Sequence, residues 1–416
     1  MRPLRIALLS YRSKPHSGGQ GIYVRHLSRA LVEAGHEVTV FSGQPYPELD
    51  PGVRLERLPS LDLYDDADPF RTPHPRELRD GIDALEVATM WTAGFPEPMT
   101  FSLRAARELA ARGHDFDVVH DNQSLGWGLL RLQALGAPVV ATIHHPITMD
   151  RRIDLAGATS WRRRLSLRRW YGFLRMQGAV ARRLPHLVTV SRSSARDIER
   201  DFGVRPEQLH VVPLGVQPEV FTPPAEGTRV PGRIVATASA DTPLKGLPTL
   251  LRAFARIRQN RELSLYLVTR PSPDGPTERL VRELGLEPHV TFVHGLSVED
   301  MAAALGSGEV VCVPSLYEGF SLPTLEAMAC GSPLVVSDGG AIPEVVGEPG
   351  ECAEVVSAGD VDALADALAA LMDDPERRAR MGRAARERAV THFAWEVVAA
   401  RMTEVYEMAI ADRKGR

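Results

Sequence analysis

Along the chain, short runs of aliphatic and β-branched residues alternate with segments whose apolar positions recur every three to four residues. In the first half the runs are LRIALLS, HEVTVFS, FDVVHD, APVVATIHH and HLVTVS. Most are too continuously apolar for burial on one face only, and they read as parallel strands covered on both faces. Between the first two lies GIYVRHLSRALVEAG, where Val24, Leu27, Leu31 and Val32 recur at helical spacing until Gly35 ends the helix. Strand, helix and parallel strand make a βαβ unit, and its repetition predicts a doubly wound α/β domain.

At VVPLGVQPEVFTPPAEGTRVPG the periodicity disappears and Pro and Gly accumulate, which reads as a linker. The alternation then restarts with RIVATAS, LSLYLVT, HVTFVHG, EVVCVPS and SPLVVSD as strands and helices such as PTLLRAFARIRQ between them. The chain closes on AWEVVAARMTEVYEMAIADR, a helical pattern with no strand after it. The expectation is two Rossmann-like domains in series: residues 1–216, a linker at 217–232, a second domain at 233–394 and a terminal helix at 395–416. A length of 416 residues agrees, being too long for one ordinary core.

Composition narrows the function. The apolar fraction of 44% and charged fraction of 25% are those of a globular protein. A formal net charge of -4 argues against a nucleic-acid partner, which calls for a basic excess over a domain. The cations are nearly all Arg, with Lys only at Lys14, Lys245 and Lys414. Cys312, Cys330 and Cys352 have no metal-ligand spacing and read as reduced and buried. The opening MRPLRIALLSYRS reads as a first strand and not as a signal peptide, and no apolar run approaches the ~18 residues of a membrane span. A cytoplasmic location is expected.

Two segments carry a weaker message. In DLYDDADPFRTPHPRELRDGIDALEV, Asp66 and Asp68 form an Asp-x-Asp of the kind that can hold a divalent metal, but it follows no strand and reads as a solvated acidic loop, so no metal site is assigned. In WRRRLSLRRWYGFLR, Leu167, Trp170, Tyr171 and Leu174 share a helical face among six arginines. Packing of that face on the first domain is the expected arrangement, and peripheral contact of residues 161–175 with an anionic membrane is the alternative.

Domains of this type bind nucleotides at the carboxyl ends of their strands. The first loop, SKPHSGGQGIYV, places Gly18, Gly19 and Gly21 before a helix, where backbone N–H groups can approach a phosphate. Its spacing is not Gly-x-Gly-x-x-Gly, so a dinucleotide cofactor is a weak reading and a tight turn suffices. LYEGFSLPTLEAMACG is more specific: a loop follows the apolar strand EVVCVPS, and a short helix follows the loop with Pro323 near its first position. Glu318 then lies in the loop and Glu326 about one turn into the helix. Carboxylates accept hydrogen bonds from vicinal hydroxyls, so one can hold a sugar and the other a ribose while amides between them face a diphosphate.

This segment resembles the Glu-x7-Glu signature of retaining family 4 glycosyltransferases, and the resemblance extends over the chain through the Gly-rich loop, TIHH, TVS, PLKGLPTLLRAF, FVHGL and EGFSLPTLEAMACGSPLVVSDGGAIPEVV. It implies the GT-B fold: two Rossmann-like domains with parallel sheets facing a central cleft and a C-terminal helix crossing back to the N-terminal domain. It implies transfer of a sugar from a nucleotide-diphosphate sugar to an acceptor hydroxyl with retained configuration, and no cofactor. By the same resemblance Glu326 holds the donor ribose and Glu318 the sugar hydroxyls, while the backbone of Gly319, Phe320, Ser321 and Leu322 reads the sugar and that around Thr324 the phosphate. His144 matches a histidine that reaches the donor sugar, Gly18 and Gly19 a loop over the diphosphate, Gly295 a turn near the base, and Lys245 a lysine that neutralises the leaving diphosphate. The bland alternatives are a satisfied core histidine at His144 and a surface helix charge at Glu326.

One departure stands out. The family places an Arg five or six residues before the Lys, whereas ATASADTPLKG has Ser239 and Ala240 there, and Arg270 after the next strand is the candidate replacement. Retention requires a carboxylate nucleophile or same-face attack, and no second carboxylate is marked by its position, so same-face attack is expected. A sugar-nucleotide epimerase and a non-catalytic nucleotide-sugar binder are the competing readings. Base, sugar, acceptor and oligomeric state are not legible in the residues.

Overall fold

The computed structural model describes residues 2–14, 19–65, 68–113 and 115–414, folded into two compact units, each built on one parallel sheet. The first unit comprises Met1–Val190, Ser194–Val212 and Val398–Arg416. Its strands are β1 (Arg5–Ser10), β2 (Glu37–Ser42), β3 (Arg54–Arg57), β4 (Val118–Asn122), β5 (Val139–Ile143), β6 (His186–Thr189) and β7 (Leu209–Val211), in the order β3-β2-β1-β4-β5-β6-β7. All neighbouring pairs are parallel, and β4 and β5 are buried throughout, as their continuous apolar runs predict. The helix Gly19–Glu33 buries Val24, Leu27 and Leu31 completely, the spacing that marked it in the sequence.

The terminal helix Trp395–Lys414 returns to this unit from Val398 onward. Tyr406 is fully buried, its hydroxyl 2.7 Å from His120 Nδ1, and Thr403 Oγ1 lies 3.1 Å from His36 Nε2. His186 Nε2 meets Asp412 at 3.1 Å. These histidines fasten the helix, and burial holds His120 down at about 3, so it is neutral there.

The second unit comprises Ser191–Ser193 and Pro213–Val397. Its strands are β8 (Val230–Thr237), β9 (Ser264–Val268), β10 (Val290–Val293), β11 (Gly308–Val313), β12 (Leu334–Ser337) and β13 (Glu354–Val356), in the order β10-β9-β8-β11-β12-β13 and again all parallel. Cys312 and Cys330 are buried, as is Cys352, and none forms a disulfide. The Pro- and Gly-rich stretch read as a linker lies along this unit: Val216 N–H donates to Phe393 O at 2.8 Å, and the Arg386 guanidinium binds the carbonyls of Phe221 and Pro218 at 2.6 and 3.0 Å.

In both sheets the strand order reverses next to the unit's first strand, between β1 and β4 and between β8 and β11. Loops leaving these strands diverge, which opens a crevice at the carboxyl end of each sheet.

Candidate functional site

In the second unit the crevice is lined by the loop after β8 and the loop after β11. The first ends in the turn Pro243–Lys245, capped by Gly246 at φ +67°. A side chain at Gly246 would meet the Pro314 carbonyl oxygen at 1.9 Å, and Leu316 N–H donates to Leu244 O at 2.8 Å, so the two loops are locked together. This contact brings Lys245 and Glu318 together: Nζ donates to Oε1 at 2.8 Å. Ser315 Oγ donates to the same oxygen at 2.7 Å. Glu318 Oε2 has no partner among the described residues. The loop after β12 closes the clamp, since Ala341 N–H donates to Glu318 O at 2.9 Å and a Cβ at Gly340, φ +68°, would lie 2.3 Å from that oxygen.

The helix Leu322–Ala329 follows. Ser321 precedes it at φ +87°, a strained position for a residue with a side chain, and its hydroxyl pairs with buried Thr324 Oγ1 at 2.8 Å. Gly319 and Leu322 flank this turn, and the Phe320 ring faces inward against Phe393, 6.0 Å between centroids, so only its backbone is free to face a ligand. Glu326 is half-buried on the helix, and burial raises its carboxyl to about 7. No described residue donates a hydrogen bond to it, which is unusual for a carboxylate that is not simply a surface charge.

Next to the Lys245 turn, Asp241 binds the loop after β9. Burial opposes its ionisation, but hydrogen bonds from Ser272 N–H at 2.9 Å and Thr277 N–H at 3.0 Å outweigh it and hold the carboxyl at about 2. Ala240 N–H donates to Thr269 Oγ1 at 2.8 Å, so Arg270 begins beside Ala240, exposed and without an ion-pair partner among the described residues. Gly295, in the turn after β10, is exposed at φ +70° with open space where a side chain would stand.

In the first unit, His144 follows β5 and is half-buried. Its N–H donates to Gln123 Oε1 at 2.9 Å, its ring meets Tyr23 edge-on at 4.6 Å, and its Nε2 lies 2.8 Å from Asn122 Oδ1 at the end of β4. Burial, then the neighbouring His145, holds the imidazole at about 3, so it is neutral at pH 7. With Nε2 donating to Asn122, Nδ1 presents its lone pair as an acceptor. Gly19 starts the helix after β1, and Gly21 in its first turn lets the Lys14 carbonyl approach to 2.2 Å from where a Cβ would be. Gly18 and Asp66 lie outside the described residues. Among the described residues, no group of three or more His, Cys, Asp and Glu is placed to hold a metal ion.

Residues 17–220 match Glycosyltransferase Family 4, and residues 222–388 match Glycosyl transferases group 1. A protein of Mycolicibacterium hassiacum named MMP alpha-(1->4)-mannosyltransferase is 60% identical over 98% of this chain and 99% of its own length. The chain belongs to glycosyltransferase family 4. It is also 29% identical to a D-inositol 3-phosphate glycosyltransferase of Xylanimonas cellulosilytica over 99% of this chain and 98% of that one. The glycosyltransferase resembles in fold the sucrose-phosphate synthase of Thermosynechococcus elongatus, with TM-score 0.71 and 25% identity over 98% of this chain and all of that one. Anabaena HepE, solved in complex with UDP and glucose, gives TM-score 0.71 at 16% identity, covering 97% of this chain and all of that one.

Sequence reasoning missed several residues that shape the two crevices of this glycosyltransferase. Ser315 shares an oxygen of Glu318 with Lys245, and Asn122 and Gln123 orient His144. Gly340 admits the Glu318 backbone. Their available signal was position: a polar residue or a Gly pair immediately after an apolar strand, as in VVHDNQ, VCVPS and LVVSDGG.

Proposed function

We propose that this glycosyltransferase moves an α-mannosyl unit from a nucleoside-diphosphate mannose to a hydroxyl of a mannose-containing glycan, retaining configuration. The name of the 60% identical relative supports the sugar and the α linkage, and an α-linked donor yields an α product only by retention. The complex of HepE with UDP and glucose supports the nucleotide-sugar class.

The observation that carries the reading is the Lys245–Glu318 pair at 2.8 Å. At the anomeric centre of a sugar diphosphate, a phosphate and a sugar hydroxyl are neighbours, and a neighbouring ammonium and carboxylate answer them. Lys245 has two further N–H donors for the diphosphate, and Glu318 Oε2 accepts from a sugar hydroxyl. Glu326 accepts from the ribose hydroxyls, the backbone of Gly319 to Leu322 reads the sugar, and the amides around Thr324 face the phosphate at the helix N-terminus. His144 Nδ1 accepts from a sugar hydroxyl. Gly18 and Gly19 approach the diphosphate, Gly295 lies near the base, and Arg270 supplies the second phosphate cation.

In the proposed step the bond from the anomeric carbon to the diphosphate oxygen breaks, and the acceptor oxygen bonds to that carbon on the same face. The acceptor proton passes to the departing diphosphate. Lys245 stabilises the charge that gathers there in the transition state, where a preorganised cation is most effective. Same-face attack needs no carboxylate nucleophile.

The test is a thermal-shift panel of uridine, guanosine, adenosine and thymidine diphosphate sugars on wild type and Glu326→Ala, followed by nucleoside-diphosphate release with and without mannooligosaccharide. A shift with one mannose donor that Glu326→Ala loses, and release only with acceptor, supports transfer. Donor conversion without acceptor would mark an epimerase, and binding without turnover a non-catalytic binder. An inverted product would overturn retention.

A further inference from the structure

The first unit holds a second concave feature that none of these roles uses. A cavity of about 420 Å³ is lined by Tyr64, Phe70, Trp91 and Trp170, with Asp154 and Arg163 among its polar residues. We propose that it is a subsite for sugar rings of a neutral glycan acceptor, remote from the hydroxyl that is glycosylated; this rests on the reading above that the acceptor is a glycan.

Two of these aromatic residues, Trp91 and Phe70, are presented rather than buried. Trp91 is 66% exposed and Phe70 59%, although side chains of this size ordinarily contribute most when covered. Their frame is nevertheless fixed. Tyr64 contacts Phe70, Phe95 and Trp170 at centroid distances of 5.3, 5.2 and 5.7 Å, and its hydroxyl donates to Gly94 O at 3.1 Å. Arg169 grips Thr92, directly after Trp91, through its carbonyl at 3.0 Å and its hydroxyl at 2.8 Å. A preformed surface of this kind spares a ligand the cost of ordering it.

The polar groups select the occupant. Asp154 Oδ2 accepts from Tyr171 OH at 2.7 Å, leaving Oδ1 without a partner among the described residues, and the Arg163 guanidinium has none either. One free acceptor and one free fork of donors suit vicinal hydroxyls, while the flat C–H faces of pyranose rings suit indole and phenyl planes. An anionic lipid surface calls for cations alone and a convex face; this cavity is concave and carries one charge of each sign. Its volume is within the range of small-ligand sites.

Location supports the assignment. The cavity is built from the segment that follows β3 and from the helices Thr148–Gly157 and Trp161–Trp170 that follow β5. These leave the sheet at its carboxyl end, where His144 also stands.

The test measures acceptor KM with α-(1→4)-linked mannooligosaccharides of increasing length on wild type, Trp91→Ala, Phe70→Ala and Trp91→Phe, with donor KM and melting temperature alongside. In wild type, KM falls with acceptor length. Each alanine variant raises KM for long acceptors by about three- to tenfold and leaves the shortest acceptor, donor KM and melting temperature unchanged, and Trp91→Phe recovers part of the loss. Equal KM for variants and wild type at every length would overturn the subsite while leaving the function intact. Failure of wild type to use any mannooligosaccharide would overturn the glycan-acceptor reading and the subsite with it. Loss of binding to phosphatidylserine vesicles in the alanine variants, with acceptor KM unchanged, would assign the cavity to a membrane and overturn the proposal.

Discussion

Lys245 Nζ and Ser315 Oγ both donate to one oxygen of Glu318, at 2.8 and 2.7 Å. The carboxylate is thus aimed before any donor arrives, and on the proposed reaction the same cation answers the departing diphosphate. If Lys245 stabilises the leaving group as proposed, Lys245→Ala should lower kcat by about 10²–10³-fold with a smaller change in donor KM. Ser315→Ala removes one of two anchors and should cost about tenfold, near the worth of one hydrogen bond to a charged group. Steady-state kinetics checks both, and an unchanged kcat in Lys245→Ala would remove the lysine from the chemistry.

Glu326 gives a prediction with opposite signs for stability and binding. Burial raises its carboxyl from 4.5 to about 7, so the folded chain holds the proton more tightly than the unfolded one. Its contribution to stability is complete below pH 4.5 and is lost as pH rises through 7. Glu326→Gln removes that dependence, so its melting temperature relative to wild type should climb between pH 5 and pH 8. In the proposed role of Glu326 the ribose hydroxyls need the ionised acceptor, so donor affinity of wild type should strengthen over the same interval, and the Gln variant should bind weakly throughout. Melting curves and donor titrations across pH test the two signs separately.

The long central strands and the two-sheet fold were legible because residues buried on both faces leave continuous apolar runs. The strands that escaped notice, β3, β7 and β13, are edge strands of three or four residues with sequences RLER, LHV and EVV. Each is covered by neighbours on one side only and carries too few apolar residues to signal itself. The helix at 161–175 was legible by its face, since Leu167, Tyr171 and Leu174 are buried, but it is two helices broken at Tyr171 and Gly172. Glu318, Glu326 and Lys245 stood out by motif. Asn122, Gln123 and Ser315 did not, because what they do depends on which strand ends the sheet order makes adjacent.

His144 is predicted to act as a neutral acceptor fixed by Asn122. Substituting Asn122→Asp places a carboxylate on Nε2, which favours the imidazolium and raises the pKa from about 3 toward neutrality. Protonated Nδ1 then donates where the wild type accepts. The variant should therefore lose kcat toward low pH and recover as pH rises, along a limb absent from wild type, while Asn122→Ala should lower kcat without adding one. The pH–rate profiles of the three proteins decide it.

Two glycines separate positioning from bulk stability. Gly246 and Gly350 both have positive φ, +67° and +84°, but a side chain at Gly246 strikes the Pro314 carbonyl whereas one at Gly350 meets nothing within 4 Å. Both Ala variants carry the conformational cost of about 1–2 kcal/mol. Only Gly246→Ala must also push apart the loops that align Lys245 with Glu318, so it alone should lower kcat, by about tenfold or more. Comparable kcat values in the two variants would mean that the turn does not set the lysine.

Arg270 tests whether a cation can move between loops without loss of function. The loop before Lys245 carries Ser239 and Ala240, and the Ala240 N–H bond to Thr269 brings the start of Arg270 beside it. If the arginine neutralises the diphosphate, Arg270→Ala should weaken donor binding and lower kcat by about tenfold each, and the paired change Arg270→Ala with Ala240→Arg should restore part of both, because the charge returns to the same phosphate from the adjoining backbone. Nucleoside monophosphate, which lacks the terminal phosphate, should bind wild type and variant alike. Unaltered donor affinity and turnover in Arg270→Ala would show that the diphosphate is held by Lys245 and backbone amides alone.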